Sequence, residues 1–243
     1  MTPTLRSLVS AAALAMLALP AAAQTATPAP AEAAPAATPA QAPATQPDYW
    51  QGAEDAPVEM IEYASFTCGH CAAFHNDVYP QLKAEYIDTG KVRFTQRDVY
   101  FDEPGLWAGI LARCGGEEKF YPIAGMLFEK QREWLGAKTG DELAANLRKI
   151  GAAAGFSGEQ MDACWKDQAK VESLLATFQQ NAVADKIEGT PTFIIGGEKV
   201  QNGPWEELKA KIDAKLAAAP AAAAPATTNA PAPGASAPAP ASN

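Results

Sequence analysis

Residues 58–66 are dominated by apolar and β-forming side chains and stop at the step Cys68-Gly69, a pattern that predicts a mostly buried strand feeding a turn. From Cys68 the period changes. Cys71, Phe74, Val78, Leu82 and Tyr86 recur every three or four residues, so a helix is expected there with one face to bury. Pro80 falls inside that run and is expected to kink it, because proline removes a backbone donor and crowds the preceding turn. A second strand is expected over 91–101, after the stop at Thr89-Gly90. Helical patterning then takes over, with one run over 107–114 ending at Gly115-Gly116 and another over 120–134. Thr139 and Glu142 have capping-box spacing ahead of Leu143, Leu147 and Ile150, and Ser157 and Gln160 repeat the device ahead of a long helix through Cys164, Val171, Leu174 and Phe178. The chain returns to sheet at 192–195, then turns at Gly196-Gly197 into 199–201, a hairpin by pattern and turn chemistry. Pro204 suits a first helical position, and Trp205, Leu208, Ile212 and Leu216 carry a last amphipathic helix.

The order is strand, helix, strand, several helices, hairpin, helix. Plain βα packing needs only about 40 residues between the Cys68 turn and the hairpin, and the chain spends about three times that. The expected architecture is therefore a small α/β domain with a helical subdomain inserted at about 103–184, between a βαβ unit and a C-terminal ββα unit.

Composition changes this picture mainly at the ends. The 48% hydrophobic content is inflated by alanine in two low-complexity tracts, 24–47 and 217–243, which carry too little apolar bulk to offset ordering entropy and are expected to be disordered. Ahead of them, Arg6, the apolar run 8–19 and Ala21-Ala22-Ala23 have the form of a secretory leader over 1–23; the run falls short of the roughly 20 residues that a membrane anchor requires. Between the tracts, 48–216 is expected to form one domain, working in the periplasm. With 28 acidic residues against 19 basic ones and no basic cluster in that domain, nucleic acid is not an expected partner.

All four cysteines, Cys68, Cys71, Cys114 and Cys164, lie in the domain. Cys68-Gly69-His70-Cys71 is a C-x-x-C unit at a helix start, where unpaired N–H groups and the helix dipole favour a thiolate. Cys68 is the expected attacking sulfur, with a pKa somewhere in the range of about 3.5 to 7.5. Cys71 lies almost one turn further on, on the inward face with Phe74 and Val78, and is the expected resolving thiol. His70, between them, can favour the thiolate by charge or by hydrogen bonding, which would make the disulfide form a stronger oxidant. Half of a zinc site is the competing reading of the motif. Zinc wants a second ligand pair at close spacing, and His70, His75, Cys114 and Cys164 do not supply one. A structural vicinal disulfide loop is the other alternative. Neither a metal nor a cofactor is implied by the dithiol reading.

Gly189-Thr190-Pro191-Thr192-Phe193 puts a proline directly before an apolar strand. Together with the strand, the C-x-x-C and its helix, this distal Thr-Pro before a hairpin resembles the thioredoxin superfamily. The helical insertion narrows the resemblance to the DsbA-like periplasmic thiol oxidoreductases, over about 56–216. The resemblance implies that Cys68 is nucleophile and Cys71 resolver, that Pro191 is cis and faces the sulfurs, and that the backbone of Thr190 pairs with an extended substrate. It also implies that Glu62, six residues before Cys68, is the buried acid beneath the dithiol. Gly69 departs from the proline common after the first cysteine in this family, and Thr190 also occurs in isomerase and reductase relatives. The expected function is that of an oxidase giving its Cys68–Cys71 disulfide to exported proteins as they fold, monomeric and reoxidised by a membrane partner of the DsbB type. An isomerase or reductase kept reduced by a DsbD-like partner is the alternative, and a thioredoxin-fold binding or metal-handling module is a third reading. Cys114 and Cys164 both sit on expected helices of the insertion. An oxidising compartment would link them if they are neighbours, and otherwise they are two buried free thiols.

Overall fold

In the computed structural model, residues 44–219 are described, so the expected leader, most of the 24–47 tract and all but the start of the 217–243 tract lie outside the described residues. Strand β2 (Val58–Ala64) is the middle of a five-stranded sheet. It pairs in parallel with β3 (Val92–Asp98) on one side and antiparallel with β4 (Thr192–Ile195) on the other. Two edge strands complete it: β1 (Trp50–Gln51) runs antiparallel to β3, and β5 (Glu198–Gln201) closes a hairpin with β4. β1 is too short to show a period, and nothing in residue order marks it. The hairpin turns through Gly196 and Gly197 with φ of 51° and 78°, the left-handed conformation that glycine adopts without steric cost.

The helical run after Cys68 is interrupted, not merely kinked. Helix α1 (Gly69–Ala73) passes into a π-helical turn at Phe74–Val78, then α2 (Tyr79–Leu82) and a second π-helical turn at Lys83–Ile87. Pro80 sits in the first turn of α2, where the widened turn before it removes the demand for its missing N–H. After β3, the insertion runs from α3 (Glu103–Ala112) through α4 (Glu117–Glu129), α5 (Gln131–Leu135), α6 (Gly140–Ala153), α7 (Gly158–Lys166) and α8 (Gln168–Ala184). The chain ends its described part in α9 (Trp205–Ala218), with Pro204 as N-cap one position before the helix begins.

Several boundaries differ from expectation for local reasons. α3 begins earlier than expected because Asp102 caps it, accepting a hydrogen bond from the Gly105 N–H at 2.7 Å. The run 120–134 is two helices that meet at Lys130. The long helix expected after Ser157 is also two, because Asp167 leaves helical geometry and caps α8 through the Lys170 N–H at 3.0 Å. Ser157 and Gln160 form a complete capping box, whereas Glu142 reaches past Thr139 to the Lys138 N–H at 2.7 Å and leaves that box half made. The end of the 24–47 tract is not a loose tether. The Gln46 backbone N–H donates to Thr177 Oγ1 and its side-chain amide to Ser173 Oγ, both at 2.7 Å, and Ser173 in turn donates to the Ala44 carbonyl. The packed chain therefore starts at least four residues before 48, and α9 carries it two residues past 216.

Two cores result. One, around Met60, Phe74, Phe94, Phe193 and Ile212, joins the sheet to the helices that flank it. The other, around Phe66, Cys71, Leu111, Ile123, Leu127, Phe128 and Trp134, joins the end of β2 and the start of α1 to the insertion. The C-x-x-C thus lies on the seam between the sheet domain and the inserted helices.

Candidate active site

Cys68 is the N-cap of α1, in extended conformation, and its sulfur accepts a hydrogen bond from the Cys71 N–H at 3.4 Å. It is half-buried, with a free thiol, as is the fully buried Cys71. The turn ahead of it is held from three directions. The Cys68 N–H bonds the Ser65 carbonyl at 3.1 Å, Thr67 Oγ1 donates to Asp102 at 2.8 Å, and Ser65 Oγ lies 3.1 Å from Thr67 Oγ1.

The two sulfurs are driven apart in acidity. Cys68 is lowered to about 5, chiefly by a hydrogen bond from the Cys71 thiol, with help from the Thr190 side chain and the Cys71 and His70 backbone N–H groups, and against the cost of partial burial. Cys71 is pushed far above the ordinary thiol range, first by burial, then by that same hydrogen bond and by the negative charge of Glu62. At neutral pH this arrangement is one thiolate at the surface and one thiol beneath it. His70 contributes through its backbone; its imidazole is exposed.

Across from the dithiol, the Thr190-Pro191 peptide bond is cis and Pro191 is buried. Thr190 turns its carbonyl toward the site, accepting from the Cys68 thiol at 3.4 Å. Glu62 is fully buried on β2 with Oε2 2.8 Å from Nε2 of His75, while its Oε1 has no hydrogen-bond partner. Cys68, Cys71, Thr190, Pro191 and Glu62 therefore surround one point. Cys114 and Cys164 belong to another place: they form a disulfide between the end of α3 and α7, with Cα atoms 5.7 Å apart. Among the described residues no cluster of three His, Cys, Asp or Glu side chains could hold a metal ion, and no helix is long and apolar enough to cross a membrane.

The family model described as thioredoxin matches residues 44–214. This chain belongs to the DsbA-like thioredoxin family. A Rickettsia bellii protein that carries the name protein-disulfide oxidoreductase is 32% identical over 166 residues, which is 68% of this chain and 63% of that protein. The chain thus spans less than two thirds of that relative's length. Disulfide bond formation protein D of Bacillus subtilis is 26% identical over 180 residues, covering 68% of this chain and 75% of its own. Among solved structures, alpha-DsbA1 of Wolbachia pipientis superposes with a TM-score of 0.64 at 26% identity, over 72% of this chain and 94% of its own. The expected thioredoxin-like fold, with helices inserted between the βαβ and ββα units, is the one observed.

Within this DsbA-like frame two residues escaped the reading of the sequence. Gln131, the first residue of α5, is buried and donates to the carbonyls of Phe66 and Cys68 at 2.8 and 2.9 Å. It ties the inserted helices to the active-site turn, adding a second donor to the Cys68 carbonyl, which also accepts the Ala72 N–H at 3.1 Å. A glutamine at the edge of an amphipathic run carries no signal of this; only the break at Lys130 would have marked the position as unusual. The other is His75, four residues after Cys71, considered only as a metal ligand. It is buried and stacked on Phe128 with ring centroids 4.0 Å apart.

Proposed function

We propose that this protein is a thiol:disulfide oxidoreductase that donates its Cys68–Cys71 disulfide to exported proteins as they fold. The observation that carries the reading is the opposed acidity of the two sulfurs, with Cys68 lowered to about 5 and Cys71 raised beyond the ordinary range. A stabilised thiolate favours the dithiol form, which makes the disulfide a stronger oxidant.

In the forward reaction a substrate thiolate attacks Cys68 Sγ of the Cys68–Cys71 disulfide, and Cys71 leaves and takes up a proton. A second substrate thiolate then attacks the substrate sulfur of the mixed disulfide and expels Cys68 as its thiolate. The substrate loses two electrons to the dithiol. An extended substrate segment lies along the backbone of Thr190, beside Pro191, which sets its sulfur over Cys68. Glu62 is the buried acid of the site, and His70 lends its N–H to the thiolate. The protein works in the periplasm after removal of the leader, as a monomer, and a membrane partner of the DsbB type restores its disulfide. Cys114–Cys164 is a structural link within the insertion.

Equilibration with glutathione tests the direction of electron flow. The oxidase reading predicts a potential more oxidising than about −200 mV and accelerated oxidative refolding of a reduced substrate; a value near about −270 mV would make the protein a reductant.

A further inference from the structure

Cys71 and His75 lie four residues apart on one helical run, and both are buried toward the sheet. Glu62 and Ala64 share the face of β2 that meets them, and Ala64 packs with Cys71 in the same core. Glu62 therefore sits under the helix between the thiol and the imidazole. One of its oxygens is taken: Oε2 lies 2.8 Å from His75 Nε2. The other, Oε1, is buried and without a partner, a situation that costs roughly 1–3 kcal/mol and is uncommon unless the atom has other work. The imidazole cannot easily turn away. Phe128 stacks on it at 4.0 Å, Phe74 meets it edge-on at 5.4 Å, and Tyr79, the other titratable group against the ring, lies at 5.1 Å.

We propose that His75 is a positioning residue for the proton of Cys71: by donating to Oε2 it fixes the Glu62 carboxylate with Oε1 free to exchange that proton. When Cys71 leaves the disulfide as thiolate, it takes a proton from Oε1. When Cys71 attacks a mixed disulfide on Cys68, its proton passes to Oε1, the Cys71–Cys68 bond forms, and the partner's sulfur departs with the electron pair of the broken bond. This rests on the reading of Cys71 as the resolving thiol.

The test separates the two half-steps in the full chain, using oxidised glutathione as the probe. Reduced protein forms a Cys68–glutathione mixed disulfide, which Cys71 then resolves. His75→Leu should slow resolution by at least about tenfold while changing the first attack by no more than about twofold. Glu62→Gln should slow resolution similarly, and the double variant no further, because the two residues act as a unit. His75→Gln, whose amide can donate to Oε2, should restore most of the rate. Equal slowing of both steps, unchanged resolution, or multiplicative losses in the double variant would overturn the proposal. Should His75→Leu not fold, the wild-type imidazole carries the test: its Nε2 resonance should differ between dithiol and disulfide forms, and a resonance indifferent to redox state contradicts the proposal. Cys71→Ser is the control for the reading beneath. If the mixed disulfide resolves without Cys71, that reading fails; if resolution needs Cys71 but ignores His75, only the present inference does.

Discussion

The molecule holds two pairs of cysteines that differ in almost every physical respect. Cys68 and Cys71 are three residues apart at a helix start, and both are free thiols in this structure. Cys114 and Cys164 are 50 residues apart, in the turn after α3 and on α7 of the insertion, and they are bonded. The near pair closes almost no loop, so a disulfide there constrains the unfolded chain little; hydrogen bonds at the helix start and the charge of the buried Glu62 act on the acidity of its sulfurs. The far pair closes a long loop, and its value lies in the unfolded state that it restricts. Sequence spacing alone thus separates a bond suited to exchange from one suited to persistence.

The largest effect expected from breaking this contrast is on exchange itself. Cys71→Ser should accumulate mixed disulfides between Cys68 and cysteine-bearing exported proteins, visible on non-reducing gels, whereas Cys68→Ser should trap none. Equal trapping by both variants would remove the division of labour. Replacing the far pair, Cys114→Ala with Cys164→Ala, should lower unfolding free energy by up to about 4 kcal/mol in urea titrations while leaving the acidity of Cys68 in place. A loss of exchange with stability intact would mean that the far pair belongs to the chemistry.

Gln131→Leu comes next, since it strips the carbonyls of Phe66 and Cys68 of their shared donor; a loss of about 2 kcal/mol is expected. The thiolate should also make the stability of the reduced protein depend on pH. Folding depresses the pKa of Cys68 to about 5, so between that pH and the ordinary thiol range the folded dithiol binds one proton fewer than the unfolded chain. The reduced protein should therefore gain stability as pH rises through that window and lose it as pH falls toward about 5, relative to the disulfide form, in which neither sulfur titrates. Parallel stability curves for the two forms would argue against a thiolate at Cys68. The smallest effect is expected from Thr190→Val, which should raise the pKa of Cys68 by removing a side chain that favours its thiolate while keeping the carbonyl in place.

Much of this was legible in residue order. The apolar β-forming run at 58–66, the hairpin pattern at 192–201, the helical period after Cys68, and the surplus length before the hairpin were enough to expect the sheet and the inserted helices. These are repeated signals, each carried by several side chains. What the sequence hid was carried by single atoms. Asp167 breaks one helix and caps the next, and its neighbours keep a helical pattern throughout. Gln131 reaches the active-site turn across more than 60 residues of chain, and no local pattern encodes such a partner. Glu62 was placed by resemblance alone, and its hydrogen bond to His75 depends on how a π-helical turn aims the imidazole. Contacts between distant elements, made through one side chain each, leave no period to read.

The exchange chemistry turns on a fold that holds Cys68 as a thiolate and Cys71 as a thiol. The measurement that decides it is the thiolate absorbance of the reduced protein followed against pH. A transition with a midpoint at about 5 that vanishes in Cys68→Ser is expected, with no ionisation of Cys71 across the ordinary thiol range. A midpoint near about 8.5, the value of an unperturbed cysteine, or a transition that survives in Cys68→Ser would contradict it.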